Sequence, residues 1–391
     1  MQSVWRPPLA AMCALLAGIG LARFAYTPLL PALVTSRWFG PADAAYLGAA
    51  NLLGYLFGAL VARWAGRRMT LPPLLRFMMA ATTAALFLSA LPLGFLWLLV
   101  WRVVTGVAGA FLMVLAPPAA LARVPHERRG VAGGIILTGV GLGIAASGGL
   151  MPVLLRFGVS GAWCGLGAAS LLLTLAAWGG FAEPDAMPAP AAASASRGVY
   201  RLALAYALNA VGLVPPMVFL ADFVARGLGQ GVAAGAHTWV LFGIGAMGGP
   251  VVLGRIADRI GFAASVRIAF VVEAVLVGSL ARIANWVLVD LSSLVIGAYV
   301  PGITTLILGR ARELVPPDRR QQEAAWSTLT VAWALGQAAG AYGLSALYAH
   351  VESYGWLFAL GAAALVAALV VDLAAKDRTE EHGGRIGEAT P

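Results

Sequence analysis

The loop VPHERR, Val124 to Arg129, returns as VPPDRR, Val315 to Arg320, 191 residues later in a chain of 391. Each copy follows a long apolar run ending in arginine, and each precedes another apolar run. A charged loop repeated half a chain apart, between membrane-length segments, implies two similar halves, the organisation of secondary transporters. Composition agrees: 60% of residues are hydrophobic, 11% are charged, and the mean hydropathy is +0.85. Soluble domains carry about 25% charged residues. Lipid must therefore be the solvent for most of this chain.

The apolar runs mark twelve spans, roughly 8–34, 43–63, 71–93, 95–121, 131–155, 160–181, 199–224, 235–254, 264–282, 286–310, 323–347 and 355–374. They are too long and too uniformly apolar for barrel strands, which alternate in polarity over about ten residues. The expected fold is an all-α membrane protein with twelve transmembrane helices in two pseudo-symmetric six-helix bundles. Residues 1–182 form the first bundle and 199–376 the second. Between them, 183–198 is a cytoplasmic linker rich in Ala, Pro and Ser, and 377–391 is a polar cytoplasmic tail. Each chain carries both halves, so a monomer suffices.

Arginine placement sets the orientation. With both termini in the cytoplasm, 20 of the 26 Lys+Arg fall inside. Arg37, Arg156, Arg226 and Arg282 fall outside, and Arg23 and Arg102 fall within spans. The chain thus reads as a multi-pass protein of the cytoplasmic (inner) membrane. Trp97, Trp163, Trp239, Trp286 and Trp356 each open an even-numbered span on the outer side, where indoles favour the interface. The first apolar run continues past Arg23 to Leu33, so it reads as an uncleaved span, not a signal peptide.

Several function classes are excluded. The net charge of +9 is topological, and no basic run is long enough to track nucleic acid. Cys13 and Cys164 have neither disulfide nor metal spacing. No GxxxxGK[ST] loop is present, so this chain alone does not run on ATP. His126, His237, His350 and His382 are scattered, with no HExxH, so enzyme chemistry is not expected and neither is any cofactor or metal. No soluble sensory domain is attached to suggest a receptor.

GRIADRIG, Gly254 to Gly261, follows the eighth span. Gly254 permits close helix approach, Gly261 permits a tight turn, and Asp258 can accept hydrogen bonds from a helix N-terminus or an arginine. The pattern resembles the loop signature of the major facilitator superfamily. The resemblance implies a cytoplasmic gate of Gly254, Asp258, Arg259 and Gly261. The first-half copy keeps Gly58 and Arg63 but has Ala62 in place of the acid, and Glu127 is expected to substitute, facing Arg63, Arg67 or Arg68. Arg102-x-x-x-Gly106 is similar to the superfamily's fourth-span signature. GVGLGIAASGG, Gly139 to Gly149, resembles its glycine-rich antiporter motif, although GxxxG helix packing explains Gly139 and Gly143 equally well. GIGLARFAYTPLLPAL, Gly18 to Leu33, is similar to the YbfB/YjiJ-type branch. The resemblance implies the major facilitator fold, with spans one, four, seven and ten around a central cavity.

Charges at helix centre cost about 2.5–3.5 kcal/mol on insertion scales. Arg23, Arg102, Glu273 and Asp290 bear that cost, in spans one, four, nine and ten. Arg23, Tyr26 and Thr27 share a helical face, and a guanidinium beside a phenol suits a carboxylate. The bland alternative is that Arg23 pairs with an internal acid. Arg102 and Asp290 are expected either to pair and gate the outside or to leave Asp290 free to take a proton. Glu273 is a second candidate for the proton or a structural acid. Thr105, Asn209 and Tyr299 complete the expected substrate-binding set, with Asn51, Thr138 and Gln337 as further polar candidates. Pro215-Pro216 and Pro301-Gly302 break the backbone ladder and are expected hinges. The expected function is secondary active transport of a small organic molecule, an organic anion by its arginines, coupled to protons. The expected partners are that substrate, protons and the bilayer. The alternative is a proton-driven drug efflux pump, for which Tyr26, Tyr299, Trp101 and Asp290 would line the cavity.

Overall fold

Backbone polar groups in lipid must bond within their own segment, so apolar runs of this length become helices. A computed structural model describes residues 4–125, 128–181, 196–282, 285–316 and 319–374, apart from the side chains at 319, 320 and 323. The first bundle holds α1 (Arg6–Thr35), α2 (Pro41–Arg68), α3 (Leu71–Leu88), α4 (Phe95–Ala122), α5 (Arg129–Leu154) and α6 (Gly158–Ala177). The second holds α7 (Arg197–Gly227), α8 (Gly231–Ile260), α9 (Phe262–Leu280), α10 (Trp286–Leu314), α11 (Arg319–Val351) and α12 (Tyr354–Leu373). No strand occurs among the described residues.

Packing within one bundle repeats in the other. The neighbours α2–α4, α1–α5, α1–α6, α3–α6 and α3–α4 reappear as α8–α10, α7–α11, α7–α12, α9–α12 and α9–α10. Between bundles, α2 packs on α11, α5 on α8, and α1 on α7. The first two pairings exchange under the same symmetry.

Glycine sets the closest approaches. A Cβ on Gly106 of α4 would stand 2.1 Å from the Asn51 carbonyl oxygen of α2. One on Gly143 of α5 would stand 2.5 Å from the Gly20 Cα of α1. Gly139 and Gly143 therefore serve helix packing against α1, whose Met12 carbonyl lies beneath Gly139.

With an even number of helices, the start of α1 and the end of α12 share one face, here called the terminal face. The bundles meet tightly toward the opposite, far face. There Tyr46 of α2 lies 6.3 Å from Tyr342 of α11, ring to ring. Ala45, Ala49 and Leu52 of α2 share an apolar cluster with Val218, Phe219 and Tyr348. On the other flank, Trp239 Nε1 of α8 donates to Ser147 Oγ of α5 at 3.3 Å.

Three expectations change here. Trp163 and Trp239 are fully buried, not interfacial. Trp239 stacks on Phe242 with centroids 4.6 Å apart, and Trp163 lies 6.4 Å from the Tyr26 ring. Span ends look alike to lipid and to a neighbouring helix when read as sequence. Secondly, GRIADRIG is mostly helix: Gly254, Asp258 and Arg259 lie in α8, and only Gly261, at φ +84°, makes the turn into α9. Thirdly, the seventh span runs on past 224 through a π-helical last turn, Phe223–Gly227, which carries Arg226 at the far-face end of α7. Residues 182–195 and 375–391, which include most of the linker and the tail, lie outside the described residues.

Gly106→Val should force α2 and α4 apart, since a backbone carbonyl cannot yield as a flexible side chain can. We expect a loss of about 3 kcal/mol or more, read as a lowered melting temperature in detergent. An unchanged melting temperature would contradict this packing.

Candidate functional site

Helix α1 is not a regular α-helix through its middle. Leu16–Phe24 is π-helical, and Arg23 sits at the end of that stretch. Such bulges recur at functional positions because they re-aim side chains. Arg23 Nη2 donates to Gln337 Oε1 of α11 at 2.6 Å, across the two bundles. Its guanidinium carbon lies 5.1 Å from the ring centroids of both Phe24 and Tyr55. Tyr55 stands one turn beyond Asn51 on α2.

Arg102 of α4 is 2% exposed. Its Nη1 donates to the Ala22 carbonyl at 2.7 Å and its Nε to the Leu47 carbonyl at 3.2 Å. Its guanidinium lies 4.3 Å from the Tyr26 ring centroid. One side chain thereby ties α1, α2 and α4 together. Among the described residues, neither arginine has a carboxylate partner.

Both arginines line a small cavity at the meeting of the bundles, with Tyr26, Thr27, Asn51, Met217 and Gln337 among its walls. It measures about 20 Å³, space for about one water molecule. Thr27 Oγ1 donates to the Met217 carbonyl of α7 at 2.6 Å, and Gln337 Nε2 reaches Met217 Sδ at 3.5 Å. Tyr26 Oη donates to the Ala44 carbonyl at 2.7 Å. Asn51 Nδ2 donates to the Arg102 carbonyl at 3.2 Å and to Thr105 Oγ1 at 3.0 Å, so Thr105 stands behind Asn51.

Arg23, Tyr26 and Thr27, spaced to share a helical face, line one cavity with Arg102, Asn51 and Gln337. Asn209 does not. It is fully buried and donates through Nδ2 to Glu273 Oε2 of α9, inside the second bundle. Tyr299 packs against an apolar cluster with Leu253 and Ile303, away from the cavity. The pairing of Arg102 with Asp290 is also not formed. Asp290 Oδ1 accepts from Thr238 Oγ1 at 2.7 Å, and its Oδ2 lies 3.4 Å from His237 Nδ1. Equivalent depth did not bring them together, because α10 turns that face toward α8.

At the terminal face, Asp258 is exposed and has no partner among the described residues. Arg259 is exposed beside it, while Arg63 is half-buried on α2. Glu127, expected opposite Arg63, lies outside the described residues.

One cluster escaped the sequence reading. Asp222, fully buried near the end of α7, takes both Nε and Nη2 of Arg226. Tyr354 Oη donates to Asp222 Oδ2 at 2.6 Å, and Arg226 reaches Tyr348 Oη at 3.3 Å. The signal was present as an acid and an arginine at i, i+4. The cluster pins α7 to α11 and α12 at the far face.

The two cavity arginines differ in what they support. Arg102→Met removes the second donor to the Ala22 and Leu47 carbonyls, and with it the tie between α1, α2 and α4, and should cost about 1–3 kcal/mol. Arg23→Gln removes a cation held by one amide, and its melting temperature in detergent should match or exceed that of the original protein. Equal losses for both variants would contradict this division.

The comparisons with known proteins follow the geometry. A family model described as "Uncharacterised MFS-type transporter YbfB" matches residues 15–373. No curated protein matches the chain. Among solved structures, a bacterial homologue of the human lysosomal transporter Spinster, crystallised inward-facing and unoccupied, superposes with a TM-score of 0.69. The two chains are 16% identical, and the match covers 96% of each. That likeness is one of fold.

Proposed function

The chain belongs to the YbfB-like family of the major facilitator superfamily, and from that premise we propose that it carries a small organic anion across the membrane by alternating access, coupled to protons. It is a multi-pass membrane transporter and not an enzyme. The observation that supports an anion is the pair of cavity arginines without a carboxylate. A buried cation is costly unless paired, and two in one cavity also repel each other. A carboxylate between them relieves both costs, and guanidinium geometry suits it. A cationic drug would add a third positive charge, which weighs against drug efflux.

The same links join recognition to motion. Arg23–Gln337 and Thr27–Met217 connect the two bundles through the walls of the cavity. An anion that draws Arg23 from Gln337 loosens one of those links, so binding bears directly on the rocking of the halves. The arginine excess favours the terminal face as cytoplasmic and the inner membrane as the location. The far-face seal then closes the cavity to the outside. One chain holds both halves, and we take the working unit to be a monomer.

For the proton we favour Glu273 over Asp290. Glu273 Oε1 and Asn209 Oδ1 are both buried without a hydrogen-bond partner. Two bare acceptors side by side are costly. A proton on the carboxyl supplies the missing bond, in the cyclic pair that acids form with amides. Asn209 lies about two turns from Met217 on α7, so movement of that helix reaches the pair. Asp290 is already satisfied by Thr238 and His237.

Proteoliposomes with an internal pH dye and a panel of carboxylates test this reading. Anion-dependent proton flux should appear, and Arg23→Gln should lower it at least tenfold. Proton flux driven only by cationic compounds would overturn the anion reading. Glu273→Gln keeps an amide in place of the acid, so it should fold and still exchange substrate across the bilayer while losing proton-driven accumulation. Asp290→Asn should retain accumulation, and loss there with retention in Glu273→Gln would reverse the assignment.

A further inference from the structure

Asn51 is 1% exposed and lines the same cavity as the two arginines, and its Oδ1 has no hydrogen-bond partner. The amide cannot simply be turned over. Its Nδ2 faces two acceptors, the Arg102 carbonyl and Thr105 Oγ1, and Thr105 already gives its own proton to that same carbonyl at 2.9 Å. Reversed, the amide would set oxygen against the carbonyl and strand its donors. Oδ1 is therefore held as an acceptor by the groups behind it. Every other polar group described around the cavity is a donor or has a partner: Arg23 and Arg102 are all donor, and Thr27 and Tyr26 donate to backbone carbonyls.

A plain carboxylate satisfies the arginines but leaves Asn51 Oδ1 bare, because both of its oxygens are acceptors. Resting on the anion reading above, we propose that the substrate is a hydroxycarboxylate, taken up when Arg23 leaves Gln337 and the one-water cavity widens: its carboxylate then lies on Arg23 and Arg102, and its hydroxyl donates to Asn51 Oδ1. A site that hydrogen-bonds a substrate hydroxyl discriminates strongly against the analogue lacking it, because the buried acceptor is then left unpaired. Thr105 and the Arg102 carbonyl act as positioning groups, holding the acceptor in register with the charge.

The test uses the full chain in lipid nanodiscs and matched acids that differ only by the hydroxyl: lactate with propionate, malate with succinate, and 3-phenyllactate with 3-phenylpropionate. Methyl esters of the hydroxy acids serve as neutral controls. Binding is read by calorimetry. In at least one pair the hydroxy acid should bind ten-fold tighter or more, and Asn51→Leu should bring that pair to within about two-fold, as expected when a single buried hydrogen bond is removed. Equal affinity within every pair that binds would overturn the hydroxyl assignment and leave the anion reading standing. Selectivity that persists in Asn51→Leu would also overturn it, since another group would then read the hydroxyl. Binding of the methyl esters but none of the acids would overturn the anion reading itself. The wild-type pairs decide the hydroxyl question even if Asn51→Leu fails to fold.

Discussion

Arg102 is a fixed cation at the junction of three helices, and much of the first bundle is arranged around it. Its guanidinium needs acceptors, and it takes them from the Ala22 and Leu47 carbonyls. Carbonyls inside a regular helix are already engaged, so a second donor reaches them only when the helices lie close. Gly106 provides that closeness to α2, and Gly20 with Gly143 seats α1 against α5. The π-helical stretch of α1 lies beside this junction and sets the direction of Arg23. Cation, glycines and irregular helix form one physical unit.

That unit explains why recognition and motion share the same atoms. The bundles meet through apolar seals toward the far face and through a few polar links at the cavity. Among the described residues, the hydrogen bonds between bundles are Arg23–Gln337, Thr27–Met217 and Trp239–Ser147. Two of the three sit in the cavity wall. Parting the bundles at the far face opens that apolar seal to water and not to lipid, so the seal favours the closed arrangement. The polar links at the cavity add to it at the atoms a substrate would touch.

The second bundle puts its charges to other uses. Asp222 and Arg226 satisfy each other at the far end of α7, with Tyr348 and Tyr354 as further partners. Arg267 and Asp372 pair at 2.7 Å between α9 and α12. Glu273 is tied to Asn209. Each of these three acids has a local partner, and none is aimed at the cavity arginines. The asymmetry of charge between two halves of the same architecture is what leaves the cavity positive.

The sequence by itself determined the solvent, the element type and the architecture. Lipid admits only self-satisfied backbone, so apolar runs of membrane length become helices, and the VPHERR and VPPDRR repeat divides twelve of them into two sixes. It also picked out Arg23 and Arg102, because a charge in a span carries a cost that composition alone exposes. Tertiary structure decided which residues meet. Asn209, Tyr299 and Asp290 sit at plausible depths in helices expected to line the cavity, yet each turns toward a neighbour, and among the described residues α10 gives the cavity no side chain. Trp163 and Trp239 occupy span ends yet are core. In water, the polar face of a helix shows which side is out. In lipid both the outer face and the packed face are apolar, so rotation about the helix axis leaves little trace in the sequence and is set by packing.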